Sequence, residues 1–65
     1  MLKIEINTEN AAFRDPYTGE PDDIEKAYEL VRILKEQVIV PIRNGYKEVT
    51  LLDINGNAVG KYTID

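Results

Sequence analysis

The residues that could carry acid–base chemistry are four carboxylates close together in the chain, Glu20, Asp22, Asp23 and Glu25. Two neighbouring carboxyl groups can act as general acid and general base when their environments separate their pKa values. These four surround Pro21 in the pattern of a helix start, where carboxylates interact favourably with the helix dipole. Because a helix start in a small domain is usually solvated, we interpret the group as structural rather than catalytic.

Most residue types on which catalytic and metal sites depend are missing. The chain has no histidine, cysteine or serine, which removes the Ser-His and Cys-His pairs and the commonest zinc ligands. The segment DINGN (residues 53–57) is similar to the opening of a calcium loop, but the spaced downstream glutamate and the flanking helices are absent. We therefore expect a chain that is not an enzyme and that binds no cofactor or metal.

Length and composition indicate one folded domain, residues 1–65, with a thin core, since 43% of the 65 residues are hydrophobic and 31% are charged. The net charge of −4 is concentrated in residues 9–25, which hold six acidic side chains and one basic side chain. Without a basic patch, direct binding of nucleic acid is not expected. The longest apolar run, residues 38–42, is too short to cross a membrane, and the alternating N-terminus and the lack of cysteine lead us to expect a cytoplasmic location.

Alternation over residues 2–7 predicts a half-buried first strand, and residues 8–20 read as a loop whose apolar residues 11–13 fold back onto the core. Asn55-Gly56 between the strand-like runs 49–54 and 58–64 predicts a hairpin with a type I′ turn. A helix lies between the first strand and this hairpin. The order predicts a single small β-α-β-β domain of the α+β class. Its three-stranded antiparallel or mixed sheet has the order 1-3-2, with one helix packed on one face.

The helix is predicted to begin near Pro21 and to direct one apolar stripe at the core. Its end has two interpretations. Asn44-Gly45 is typical of the C-terminal end of a helix, which favours a helix that is kinked at Pro41 and continues to about Asn44. Alternatively the helix stops near Gln37, and residues 38–42 are extended. The residues expected to face the core at three- and four-residue steps are Ile24, Ala27, Tyr28, Val31, Leu34 and Val38.

A long helix would carry a second apolar stripe that one small sheet cannot also cover. Its residues are Leu30, Ile33, Gln37 and Val40. We expect this stripe to meet a second copy of the chain, as a homodimer, or a host protein. With the shorter helix this need for a partner disappears. Tyr17 and Tyr46 fall outside the core pattern and are further candidates for partner contact, although covering a small core is the commoner role of such side chains.

The segments ENAAF (residues 9–13), RIL (32–34) and LDINGNAVG (52–60) resemble a pattern in short proteins of bacteriophages, prophages and other mobile elements. The resemblance spans most of the chain. It implies a genetic context for the protein and supplies no activity.

Two functional hypotheses follow from these observations. The first is a small non-enzymatic accessory protein of a phage or mobile element that acts by binding another protein. The second is an acidic mimic of nucleic-acid phosphates that occupies the site of a DNA- or RNA-binding protein. The second hypothesis rests on the acidic segment, namely Asp15, Glu20, Asp22 and Asp23.

Overall fold

The computed structural model describes all 65 residues and has the predicted strand–helix–strand–strand order. Strand β1 is Leu2–Ile6, β2 is Glu48–Leu52 and β3 is Ala58–Ile64. Strand β3 lies in the middle, and both of its pairings are antiparallel, so the sheet order is β1-β3-β2. The predicted α+β fold with one helix on a three-stranded sheet is confirmed.

Helix α1 spans residues 23–43, which confirms the longer of the two predicted helices. Its α-helical parts, Asp23–Ile33 and Val40–Arg43, flank a π-helical segment, Leu34–Ile39. In a regular α-helix a proline ring clashes with the carbonyl four residues before it. The wider π-helical turns directly before Pro41 give its ring room. A helix of this length measures about 30 Å, whereas the strands have only five to seven residues, so α1 is longer than the sheet.

Both ends of α1 are capped, and both lie within about two residues of their predicted positions. Asp22 is the N-cap, and its carboxylate accepts a hydrogen bond from the Ile24 N–H at 2.8 Å. At the other end Gly45 has a φ of +88°, and the Tyr46 N–H donates to the Pro41 carbonyl at 3.0 Å. This is a Schellman arrangement, which needs a left-handed residue and therefore favours glycine.

The core lies between α1 and one face of the sheet. Phe13 reaches it from a short 3₁₀ turn, Ala11–Phe13, so the prediction that this apolar segment folds back onto the core is confirmed. Tyr62, in the centre of β3, is fully buried, and its hydroxyl donates to the Tyr46 carbonyl at 2.7 Å. Burial raises the pKa of the Tyr62 phenol. The buried apolar side chains are Phe13, Ile33, Val38, Leu51, Val59 and Tyr62.

The π-helical segment changes which stripe of α1 faces this core. One added residue per turn rotates the following residues by about 100° relative to the preceding ones. Before the segment, Leu30 and Ile33 face the core. Val38, near the end of the segment, and Ile42, after it, also face the core. The core-facing side of α1 therefore begins with Leu30 and Ile33 of the predicted partner stripe. It continues with Val38 of the predicted core stripe. The prediction that the first four residues of the core stripe are buried is wrong, because it assumed a uniform α-helical period. These exposed residues are Ile24, Ala27, Tyr28 and Val31.

Strand β3 contains a bulge next to a glycine that no other residue can replace without movement. One residue of β3, Val59, is additional between the pairs Leu51–Gly60 and Leu52–Ala58, and its side chain joins the core. A Cβ atom at Gly60 would lie 1.8 Å from the backbone oxygen of Glu5. The close approach of β1 to β3 therefore depends on glycine at this position.

The hairpin between β2 and β3 is confirmed, but its predicted turn type is wrong. Residues 53–57 connect the strands, and no non-glycine residue has a positive φ, so Asn55 cannot be the first central residue of a type I′ turn. Gly56 alone has a positive φ, +84°, and its N–H donates to the Asp53 carbonyl at 3.0 Å.

Candidate interaction surface

The helix leaves one apolar stripe uncovered in its N-terminal half. Ile24, Tyr28 and Val31 are 67%, 72% and 55% exposed. Together with Ala27 and Asp23 they line a shallow groove with a volume of about 420 Å³. Residues at steps of three, four and seven lie on one side of an α-helix, so these side chains form a continuous strip. We call Ile24, Ala27, Tyr28 and Val31 the exposed helix face.

The position of α1 explains why the strip is uncovered. The first half of α1 packs on the turn Ala11–Phe13, whereas the π-helical segment is the part that contacts β2. Leu30 and Ile33, on the opposite side of the exposed helix face, make the packing contacts with the core. The sheet does not extend beneath the first turns of the helix.

The predicted partner stripe does not form an accessible surface. Ile33 is fully buried and Leu30 packs against the core, so the expectation that these two side chains meet a partner is wrong. Gln37 is bound within the fold: its side-chain amide donates to the Leu52 carbonyl and its oxygen accepts from the Leu52 N–H, both at 2.7 Å. Val40 alone of the four remains substantially exposed, at 45%.

The two tyrosines proposed for partner contact are both exposed. Tyr17 is 95% exposed at the tip of the loop before α1, and Tyr46 is 61% exposed after the helix end. The Tyr17 N–H donates to the Asp15 carboxylate at 2.7 Å, which fixes the backbone of this loop. Their role in binding remains a prediction.

The acidic segment divides into carboxylates that hold the backbone and carboxylates that face solvent. Asp15 accepts hydrogen bonds from two loop N–H groups, at 2.7 and 3.0 Å, and Asp22 caps the helix. Glu20 and Asp23 are exposed and make no salt bridge. Of the four acids predicted to imitate phosphates, Asp15 and Asp22 therefore bind the chain's own backbone, and only Glu20 and Asp23 do not.

One buried carboxylate, Glu29, holds Arg32, the side chain that joins the helix to the end of β2. It forms a salt bridge with Arg32, whose Nη1 also lies 3.1 Å from a Glu36 carboxylate oxygen. Arg32 in addition donates to the Leu52 carbonyl at 3.4 Å. Hydrogen bonding to Glu29 raises the pKa of Arg32 above its ordinary value. The charge of Glu29 is compensated within the fold.

Asp53 is the second buried carboxylate and organises the hairpin turn. Its oxygens accept hydrogen bonds from the Asn55 and Asn57 N–H groups, both at 2.9 Å, and from the Asn10 amide at 2.5 Å. Burial by itself would raise the pKa of Asp53, but the backbone and side-chain donors outweigh it and the pKa is lowered. The segment with calcium-loop character is thus a turn whose carboxylate binds the chain's own N–H groups.

Sequence reasoning missed the exposed helix face by assigning its residues to the core. The periodicity identified two apolar stripes correctly. The sequence signal that the buried side changes from one stripe to the other along the helix was Pro41 inside a helical pattern.

No cluster of three or more acidic side chains that could hold a metal ion is found, and no helix has the length and apolar character that a membrane crossing needs. Comparisons with protein-family models, curated proteins and solved structures give no match.

Proposed function

We propose that this protein is a small non-enzymatic accessory protein, encoded by a phage or mobile element, that acts by binding another protein through the exposed helix face. The observation that carries the proposal is the apolar strip Ile24-Ala27-Tyr28-Val31 on a helix whose other side already packs on the core. Contiguous apolar strips of this kind on small proteins are typical of interaction sites. The phage or mobile-element context is supported by the resemblance of residues 9–13, 32–34 and 52–60.

The strip has the composition of a helix-docking site. Tyrosine supplies a large contact area with few rotatable bonds, and isoleucine and valine at a spacing of seven residues suit a partner groove or a partner helix. Asp23 borders the groove and adds one charged position that favours a cationic group on the partner.

A matched pair of substitutions tests the proposal. Ile24 and Ile54 are both 67% exposed, but only Ile24 lies on the exposed helix face. Tagged wild-type protein, Ile24→Glu and Ile54→Glu are used to capture proteins from a lysate of a bacterial host, and the captured proteins are identified by mass spectrometry. Glutamate suits the first turn of a helix, so Ile24→Glu should fold normally.

The expected result is a protein that is captured by the wild type and by Ile54→Glu, and lost with Ile24→Glu. If every captured protein is retained by Ile24→Glu, binding does not use this face. The acidic-mimic alternative predicts a different pattern, in which a Glu20→Gln, Asp23→Asn double variant loses the partner in low salt and Ile24→Glu keeps it.

A further inference from the structure

The two edges of the sheet are protected unequally. At the β2 edge, the Gln37 side chain occupies both backbone groups of Leu52, and Arg32 adds a third contact there. The β1 edge has no side chain bound to its outer backbone groups and contains no proline. It also has no bulge, because its five pairs with β3 follow one another without a shift. Unpaired edge strands with regular geometry are templates for a further strand.

The hydrogen bonds at both ends of β1 fix which of its backbone groups face outward. The Asn7 N–H donates to the Val59 carbonyl at 2.7 Å, and the Asp65 N–H donates to the Met1 carbonyl at 3.0 Å. Backbone groups alternate in direction along a strand, so the odd-numbered residues face β3. The N–H and C=O groups of Leu2, Ile4 and Ile6 therefore point away from the sheet.

The sequence of β1, Leu-Lys-Ile-Glu-Ile, is complementary to itself when it is read in the opposite direction about Ile4. We propose that β1 pairs antiparallel with β1 of a second copy of this chain, with a two-fold axis at Ile4. In this register Ile4 faces Ile4, and Leu2 faces Ile6 of the second copy. All three outward-facing residues then exchange hydrogen bonds with their counterparts, and the two sheets become one six-stranded sheet.

Charge supports a second copy as the occupant of this edge. In the two-fold register Lys3 of each copy lies directly opposite Glu5 of the other, on the polar face of the sheet. Opposite charges facing one another across antiparallel strands are stabilising. Within one copy Glu5 already faces Lys61, so pairing extends an alternating row of charges across the joined sheet.

The apolar face of β1 also gains cover. Leu2 and Ile4 are 49% and 38% exposed although they share a face with the buried Tyr62. Pairing brings the two Ile4 side chains together and places Leu2 beside Ile6 of the second copy. The homodimer expected from the sequence is thereby assigned to the β1 edge instead of the helix.

Disulfide formation tests the register because the natural chain has no cysteine. The Cα atoms of a hydrogen-bonded antiparallel pair are about 5.5 Å apart, a distance that a disulfide spans. Ile4→Cys should therefore form a covalent dimer under mild oxidation. In Leu2→Cys, the matched control, the two cysteines would lie roughly 14 Å apart along the strands and should link at least about tenfold more slowly. Equal rates for the two variants would overturn the proposed register.

Sedimentation equilibrium of the wild type and of charge variants tests the association itself. The wild type should approach the mass of a dimer at high micromolar concentration. Lys3→Glu places like charges opposite Glu5 at two positions and should weaken association about tenfold, while Lys3→Glu combined with Glu5→Lys should restore it. Thermal unfolding at low concentration checks that each variant is folded. A wild type that stays monomeric up to about 1 mM, or a double variant as weak as Lys3→Glu, would refute the dimer.

Discussion

At the residue scale, Gly60 is the position where a single methyl group should do most damage. Gly60→Ala would place a Cβ atom against the Glu5 carbonyl and push β1 away from β3. We expect a loss of at least about 2–3 kcal/mol in the free energy of unfolding, which is a large part of the stability of a domain this small. Urea unfolding followed by circular dichroism measures it.

Lys61→Ala is the control for this substitution, because Lys61 is the next residue of β3 and its side chain is exposed. It should change the unfolding free energy by less than about 0.5 kcal/mol. A Gly60→Ala protein with the unfolding midpoint of the wild type would show that the strands approach one another less closely than the structure indicates.

Asp53 should make folding stability depend on acidic pH. Its pKa is lowered in the folded protein, so the carboxylate contributes stability above the ordinary aspartate pKa of about 3.9. That contribution is lost as the pH falls through the lowered value. Asp53→Asn should therefore be less stable than the wild type at neutral pH, and the difference should shrink as the pH approaches 2.

Urea titrations between pH 7 and pH 2 measure this difference. Glu20→Gln serves as the comparison, since the exposed Glu20 carboxylate accepts no hydrogen bond in the fold. A difference between wild type and Asp53→Asn that is constant over the whole pH range would contradict the assigned hydrogen bonds.

The hairpin illustrates at the same scale what sequence could and could not predict. Asn55-Gly56 between two strand-like runs identified the hairpin, because such residues are concentrated in tight turns. The turn type was wrong because the Asp53 carboxylate binds the N–H groups of Asn55 and Asn57 and so stabilises a five-residue connection. Side-chain capping of this kind competes with the backbone preference of the dipeptide.

At the element scale, the approximate bounds of the helix and its C-terminal glycine followed from local residue types, whereas its buried side did not. Periodicity yields the number of apolar stripes, but their assignment to core or surface depends on the helical period staying constant. The π-helical segment Leu34–Ile39 breaks that period. A prediction that used Pro41 as a sign of one added residue in the preceding turn would have placed Leu30, Ile33 and Val38 on one side.

Removal of one residue tests this account of the helix. In a Pro41→Ala background, deletion of the exposed Lys35 should convert the π-helical turns to α-helix and keep Ile33 and Val38 on one side. We expect the unfolding free energy to stay within about 2 kcal/mol of Pro41→Ala alone. Circular dichroism with urea unfolding provides both the helix content and the stability.

Deletion of Val31 in the same background is the matched control. Val31 is also exposed, but it lies in the regular α-helical part between the core contacts of Leu30 and Ile33. Its loss rotates Leu30 by about 100° away from the core and should unfold the first half of the helix. Equal tolerance of the two deletions would argue against a special role for the π-helical segment.

At the scale of the whole molecule, stability should be uneven along the helix. The molecule is elongated, 39 × 19 × 15 Å, and only eight of its 65 residues are buried. The first half of α1 rests on the turn Ala11–Phe13, while the second half packs on the sheet. We expect the amides of residues 26–31 to exchange hydrogen faster than those of β3, since few contacts must break to open them.

Hydrogen exchange followed by NMR measures these rates residue by residue. Phe13→Ala should accelerate exchange in residues 26–31 more than in residues 38–43, because Phe13 belongs to the turn that packs on the first half of α1. A uniform acceleration along the whole helix would indicate that α1 opens as one cooperative unit.

The bond between Gln37 and Leu52 has a consequence for how far assembly can proceed. When two β1 strands pair, the outer strands of the joined sheet are the two copies of β2, and each carries this side-chain cap at one end. In the proposed dimer the two β1 edges cover one another, and each chain has only one β1, so no β1 edge is left to bind a third copy. Growth into filaments would require a second adhesive edge, and the capped β2 strand opposes it. In the proposed dimer, the Gln37 cap on β2 would therefore act against growth beyond two subunits.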